Sequence, residues 1–321
     1  MWPSSQSILV TGGAGFIGSH LVAKLLEAGN SVTVFDNLTT GRIDLIQPYI
    51  GNRNFHFISG DMCDAVTLFD AMKDCTMIYH LAANAEARKS ECGSAFDFSN
   101  NLVATHNLIS ALSRARNCKD VIFSSTVMVY GEPKIMPTPE DYGPLKPISF
   151  YGATKLGCEG LLSAYSHMHD ANVVILRIVN VVGKGRSRGV VVDFIRKLKR
   201  SPHTLEILGD GTQRRSFIFI EDCLSAFEVV THNSNEPVEI YNVGSQDQIS
   251  IARIAEIVVE EMKLDDVRFG FRLGPDGRGW KGDVKETFLD TTRIRKLGWR
   301  PKFNSEEAVR SAVRQLLDSE S

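Results

Sequence analysis

Three glycines at a fixed spacing constrain this chain more than any other feature. In Thr11-Gly12-Gly13-Ala14-Gly15-Phe16-Ile17-Gly18 they follow an apolar run, Ser7-Ile8-Leu9-Val10-Thr11, and open an amphipathic stretch from Phe16 to Ala28 that Gly29 closes. The run reads as a buried strand and the stretch as a helix. Between them, Gly12 permits the tight turn, Gly15 lets the backbone approach a pyrophosphate, and Gly18 lets helix and strand pack closely. The exposed N–H groups and partial positive charge of the helix start favour that anion. Phe16 and Ile17 fall in the first helical turn. A second strand, Ser31-Val32-Thr33-Val34-Phe35-Asp36, ends on the acid that this arrangement demands. Asp36 would accept hydrogen bonds from the adenosine ribose hydroxyls and repel a 2′-phosphate, favouring NAD over NADP. Arg42 is a cation close enough in sequence to offset that repulsion.

The same alternation continues. Strands are expected at 55–58, 77–81, 121–124 and 173–177, and long helices at 99–116 and 151–169. Strands alternating with helices imply βαβ units and a parallel sheet covered on both faces, a doubly wound α/β fold of Rossmann type. Past Asn180, Gly, Arg and Pro become frequent and helices shorten. A dinucleotide-binding domain is therefore expected over 1–180, with segments near 217–244 returning to it. A smaller α/β substrate-binding region is expected over 181–321. Helices are expected at 190–200 and 250–262, and a last one after Asn304, which has the character of an N-cap. The Pro-containing stretch 131–148 reads as a loop near the site. Asp61 and Met62, after the third strand, would flank the adenine, unless Asp61 is only a turn residue after Gly60.

The rest of the composition excludes other classes. The 36 basic and 38 acidic residues give a net charge of −2, which predicts neither nucleic acid nor an anionic membrane as partner. No run approaches the ~18 apolar residues of a membrane span. The opening Met-Trp-Pro-Ser-Ser-Gln lacks the basic and apolar regions of a signal peptide, so a cytoplasmic protein is expected. The six cysteines and eight histidines show no metal-ligand spacing, so reduced thiols and no metal are expected.

Tyr151-Gly152-Ala153-Thr154-Lys155 brings chemistry to this frame. On a helix, residues four apart share a face. A free tyrosine titrates near 10, and a neighbouring ammonium together with a nicotinamide cation favours the phenolate. Such a phenolate can take a hydroxyl proton as hydride leaves the adjacent carbon.

These marks, with His80-Leu81-Ala82-Ala83, Ser124-Ser125-Thr126 before Val129-Tyr130-Gly131, Gly209-Asp210-Gly211-Thr212-Gln213-Arg214-Arg215 and Leu297-Gly298-Trp299-Arg300-Pro301, resemble the extended short-chain dehydrogenase/reductases. Within them the resemblance is to the NAD-dependent epimerase/dehydratase family, and it covers nearly the whole chain. The segments 210–216 and 275–283 are most similar to archaeal-type UDP-glucose/UDP-galactose 4-epimerases. The resemblance implies NAD as cofactor and a UDP-sugar as substrate. It implies that Thr126 hydrogen-bonds the reacting sugar hydroxyl and that Lys155 also holds the nicotinamide ribose. Asn37, Thr39, Thr40, Gly41, Leu81, Ala82, Ala83, Asn100, Ser124, Ile178 and Val179 would line the cofactor. Asn180, Val190, Val191 and Arg215 would meet the substrate, Arg215 as a planar fork for phosphate oxygens. Many epimerases carry an arginine two residues before the Gly282-Asp283 pair. Trp280 stands there instead, and Arg278 would substitute from the same loop. The resemblance also implies a homodimer, in which the helices near 99–116 and 151–169 pair with their mates.

Within this family, the 4,6-dehydratases place Asp-Glu after the threonine, and the decarboxylases usually keep a glutamate. Here Val127 and Met128 follow Thr126. Neither moves a proton, which favours a reaction needing only hydride and one proton, epimerisation at the sugar 4-position through a transient 4-keto sugar. The alternatives are epimerases of UDP-N-acetylglucosamine or UDP-glucuronate, the latter meeting Arg186 and Arg188, and a dehydratase or reductase. A non-enzymatic dinucleotide sensor is the reading that the intact Tyr151, Lys155 and Thr126 oppose. Thr287 falls near the position beside the sugar.

Overall fold

The computed structural model describes residues 1–84, 93–115, 117–231 and 236–318. They divide into two compact units. The first comprises Met1–Val129, Phe150–Arg177 and Leu224–Tyr241, the second Tyr130–Ser149, Ile178–Cys223 and Asn242–Ser321.

The first unit is built on a seven-stranded sheet. Its strands are β1 (Ser7–Thr11), β2 (Ser31–Asp36), β3 (Phe55–Ser59), β4 (Met77–His80), β5 (Asp120–Thr126), β6 (Asn172–Ile178) and the strand Val238–Val243. Their order is Val238–Val243, β6, β5, β4, β1, β2, β3. β1 pairs in parallel with both β2 and β4, β2 with β3, and β4 with β5. Ile8, Leu9 and Val10 are completely buried, as expected for a parallel strand covered on both faces. The order reverses direction between β1 and β4, which puts the carboxyl ends of those strands where an α/β sheet binds its ligand.

Local chemistry explains the helices. Helix α1 (Phe16–Glu27) starts on Gly15, and Gly29 follows its end at φ +85°. Helix α2 (Ala65–Met72) is capped by Asp64, whose carboxylate accepts from Val66 N and Thr67 N. The helix expected over 99–116 is present as a helical run from Ala95 to Leu112 whose winding changes on the way, and Arg116 lies outside the described residues. A short turn, α3 (Ala95–Asp97), leads into a π-helical turn, Phe98–Val103, and only then into α4 (Ala104–Leu112). The wider turn has a physical reason. It presents Asn101, whose side chain accepts from Asn84 N at 2.8 Å and donates to Thr154 Oγ1 at 2.9 Å. Thr154 sits on α5 (Phe150–His169), the helix that carries Tyr151 and Lys155.

In the second unit the strand Phe217–Phe219 pairs in parallel with Asn180–Val182. Arg214–Arg215 lies between Ile249–Ser250 and Glu286–Thr287. The helix Val190–Arg200 has the expected bounds. The helix Ser305–Asp318 begins with a reciprocal cap. Asn304 Oδ1 accepts from Glu307 N, and Glu307 Oε2 from Asn304 N, both at 2.9 Å. Trp299 is buried, and its indole N–H donates to the Asp222 carbonyl at 3.1 Å. The Asp222 carboxylate in turn accepts from Lys302 N and Phe303 N. Trp299→Ala is expected to destabilise this unit by about 3–5 kcal/mol through lost packing, read as a lower midpoint in urea unfolding.

Candidate active site

The glycine turn is fixed by backbone contacts that no side chain would tolerate. Gly12 has φ +71°, and a Cβ there would lie 2.7 Å from Ala82 N. A Cβ on Gly18 would overlap the Gly12 carbonyl oxygen, which itself accepts from Gly15 N at 3.0 Å. Phe16 and Ile17 form the first turn of α1, and that turn carries no acidic residue to neutralise its N–H groups. The cradle therefore keeps room and donors for a pyrophosphate.

Asp36 closes β2 with its carboxylate held in place. Oδ2 accepts from Ala14 N at 3.1 Å and Oδ1 from Leu38 N at 2.8 Å. Burial pushes its pKa up, and these two N–H groups partly counter that. A Cβ on Gly41 would stand 2.7 Å from Asp36 Oδ1, so the segment 37–41 passes close over the carboxylate. Asn37 donates to Asp61 Oδ2 at 2.9 Å, and its own Oδ1 accepts from Thr39 N. Thr40 is half-buried beside them. Asp61 is exposed and also accepts from Cys63 N, a bond that lowers its pKa; Met62 is buried. Arg42 does not offset Asp36. Its guanidinium grips Asp44, with Nε 3.0 Å from Oδ1 and a second, shorter contact from the terminal nitrogen to Oδ2.

Beyond β4, Leu81, Ala82 and Ala83 run half-buried under the glycine turn. A residue that sequence reasoning left without a role, His80, organises them. Ala82 N–H donates to Thr11 Oγ1 at 3.2 Å, and Thr11 Oγ1 stands 2.8 Å from His80 Nδ1. His80 Nε2 is 3.0 Å from Thr105 Oγ1, whose hydroxyl reaches Asn101 O at 2.8 Å. A neutral ring protonated at Nε2 satisfies every group in this chain. Burial, followed by the nearby Lys155 charge, holds the His80 pKa down to about 3, so the ring stays uncharged. Its face stacks on Phe123, centroids 5.4 Å apart. Asn100, in the π turn, donates to Phe96 O at 2.9 Å, and Ser124 stands 3.5 Å from His80 O.

The residues expected to react lie at the end of β5 and on α5. Thr126 is the last residue of β5; its Oγ1 accepts from Met128 N at 3.2 Å in the turn Val127–Tyr130. Tyr151 is half-buried in the first turn of α5. Lys155, one turn on, is only 2 % exposed, and its Nζ lies 4.0 Å from the centroid of the Phe123 ring. Burial pulls its pKa down to about 8.

The remaining sequence-identified residues belong to the second unit. Ile178 and Val179 are buried, and Val179 N donates to Val243 O. Asn180 reaches Ser216 O at 3.4 Å. Val190 and buried Val191 open the helix Val190–Arg200. Arg215 and Arg278 both have partners that sequence reasoning missed. Arg215 forms a 2.6 Å ion pair with half-buried Asp283; Arg278 forms one with Glu132, also at 2.6 Å, and donates to the Asp283 carbonyl. Burial raises the Asp283 pKa, with Arg215 the main opposing charge. Glu132 and Asp283 are far from their arginines in sequence, and no spacing signals them. Arg186 turns its guanidinium onto Val181 O and Arg188 O. Among the described residues no group of three His, Cys, Asp or Glu is placed to hold a metal, and no helix is long and apolar enough to cross a membrane.

A glycine cradle, an acid closing the second strand and a Tyr–Lys helix on a parallel sheet define a dinucleotide-dependent enzyme of Rossmann type. The chain belongs to the NAD dependent epimerase/dehydratase family, whose model matches residues 8–244, and its cofactor is NAD. It is 32% identical to UDP-glucose 4-epimerase of Mycolicibacterium smegmatis over 312 residues, covering 95% of this chain and 96% of that one. A crystal structure of UDP-galactose 4-epimerase matches with a TM-score of 0.86 at 36% identity, covering 98% and 99% of the two chains. UDP-glucose 4-epimerase of Thermotoga maritima, solved with UDP-glucose, matches with a TM-score of 0.87 at 30% identity over 98% and 100%.

Replacing Asp36 by Ala should narrow the preference for NAD over NADP by about tenfold or more, because the carboxylate that repels the 2′-phosphate is gone. Equilibrium dialysis with each dinucleotide checks this; an unchanged ratio would place discrimination elsewhere.

Proposed function

We propose that this chain is a UDP-hexose 4-epimerase of the UDP-glucose/UDP-galactose type. The observation that carries the reading is the turn after β5. Thr126 offers a hydroxyl there, and the next two side chains are Val127 and Met128, so the turn supplies no carboxylic acid to expel water from the sugar. What remains is machinery for one proton. Tyr151 takes the proton of the 4-hydroxyl and later returns it. The Lys155 ammonium, one helical turn away in a dry site, favours the phenolate. Thr126 holds the same hydroxyl in line. NAD, when bound, supplies the acceptor and donor of the hydride at the sugar carbon. Because the hydride goes back to the opposite face of a turned-over 4-keto sugar, no net redox change results and no external reductant is consumed.

The finer assignments belong to the same proposal. Asn180, Val190, Val191, Arg215 and Arg278 hold the nucleotide diphosphate end of the substrate. The guanidinium groups of Arg215 and Arg278 suit phosphate oxygens, which would compete with their present carboxylate partners. The segments 99–116 and 151–169 pair two copies into a homodimer, which suits the exposure of Phe98, Phe150 and Met168. Galactose metabolism is the process that this substrate pair suits, and a cytoplasmic location is part of the same proposal.

UDP-glucose incubated without reductant should yield UDP-galactose of unchanged mass, resolved by chromatography. A product lighter by one water would overturn the reading in favour of a dehydratase. Tyr151→Phe should lower kcat by about 10²- to 10⁴-fold in a protein that still binds NAD.

A further inference from the structure

Behind the reacting groups lies a charge pair that the mechanism above does not use. Glu159 on α5 is 4 % exposed and Arg177 on β6 is 3 % exposed. Arg177 Nε stands 3.1 and 3.2 Å from the two Glu159 oxygens, and its NH2 2.7 Å from Oε2. The same carboxylate accepts from Ser125 Oγ at 2.5 Å. Taking two charges out of water is costly unless geometry is good and further hydrogen bonds satisfy the groups. Here the fork is met on two sides and a hydroxyl adds a third donor.

The position of this pair relates it to catalysis. Glu159 follows Lys155 by one helical turn and Tyr151 by two, on one face of α5. Ser125 immediately precedes Thr126, and along a strand adjacent side chains alternate in direction. A Ser125 hydroxyl tied to α5 therefore fixes the strand end from which Thr126 projects the other way. We infer that Glu159 and Arg177 are positioning residues: the pair, through Ser125, holds the Thr126 strand end against the Tyr151 helix, and it sets the Glu159 carboxylate one helical turn from the Lys155 amine as its counter-charge. This inference rests on the epimerase reading only for its effect on turnover.

The surroundings of Lys155 leave that second role to Glu159. The titratable groups around the amine are Tyr151, Cys158 and Glu159 on its own helix and His80 on β4, with Arg177 behind Glu159. His80 is neutral. Cys158 is kept a thiol, because burial raises its pKa. Glu159, ion-paired to Arg177, carries the carboxylate of the group, one helical turn from Lys155 on α5. Removing both charges of the pair should therefore make the amine easier to deprotonate.

The test uses the full chain with NAD and the double variant Glu159→Gln/Arg177→Gln, which avoids stranding one buried charge. Two readouts are needed. Lysine 13Cε NMR, with the Lys155 signal identified by its loss in Lys155→Arg, reports the amine titration without any sugar. The inference predicts a midpoint lower by about half a unit or more in the double variant. It also predicts kcat lower by about tenfold or more, KM within about threefold, and a descending limb of the pH profile moved to lower pH. Ser125→Ala, which keeps the charges, should lower kcat by about threefold or more with the wild-type lysine midpoint. It keeps the positioning role testable if the double variant does not fold. An unmoved Lys155 midpoint in folded double variant overturns the electrostatic role, and wild-type kcat in Ser125→Ala overturns the positioning role. If the wild-type chain turns over no UDP-hexose while the lysine midpoint still shifts, the epimerase reading fails and the electrostatic role stands.

Discussion

A lysine ammonium held away from water is the constraint that the rest of the catalytic arrangement answers to. Lys155 is almost wholly buried, yet the role we propose for it needs a charge one helical turn from Tyr151. Burial disfavours that charge, and the structure offsets the penalty only in part, with the π-face of Phe123 against the amine and the Glu159 carboxylate a turn further along the helix. The compromise near 8 suits proton transfer at neutral pH, where the amine is still protonated but readily polarised. The other buried polar groups follow the same economy of charge. His80, stacked on the Phe123 ring, stays neutral and spends its two nitrogens on Thr11 and Thr105, so that it links the glycine turn to the helices without adding a second cation.

The cofactor side is governed by sterics rather than charge. Where Gly12, Ala82 and Gly18 come together, there is no room for a single methyl group. The backbone can therefore present its N–H groups directly to a pyrophosphate. Asp36, which two backbone donors keep in place, is the residue to which our reading gives selectivity between dinucleotides, and Arg42 is committed to Asp44. The turn after β5 narrows the reaction in a similar way, by what it does not supply.

Much of this was legible in the sequence because it depends on short-range pattern. The apolar runs of β1 and β2, the glycine spacing, the Asn304 cap and the four-residue step from Tyr151 to Lys155 are all local, and each element formed within a residue or two of its expected bounds. The failures are long-range. A helical period over 99–116 cannot reveal that Asn101, in the wider turn Phe98–Val103, bonds to Asn84 and Thr154. Arg177 reads as the end of a β-branched run, and Glu159 as one polar residue on a long helix; only the sheet order brings them together. Arg215 was recognisable as a phosphate-binding type, but its pairing with Asp283, a residue 68 positions away, was not.

The central claim is that the sugar is oxidised and reduced at one carbon, with its hydrogen kept by the cofactor between the two steps. UDP-glucose carrying deuterium at C4, turned over in ordinary water and analysed by mass and NMR, tests it most directly. The account predicts that the UDP-galactose formed retains the deuterium at C4. Loss of the label to solvent would contradict it, because the hydrogen would then have left as a proton.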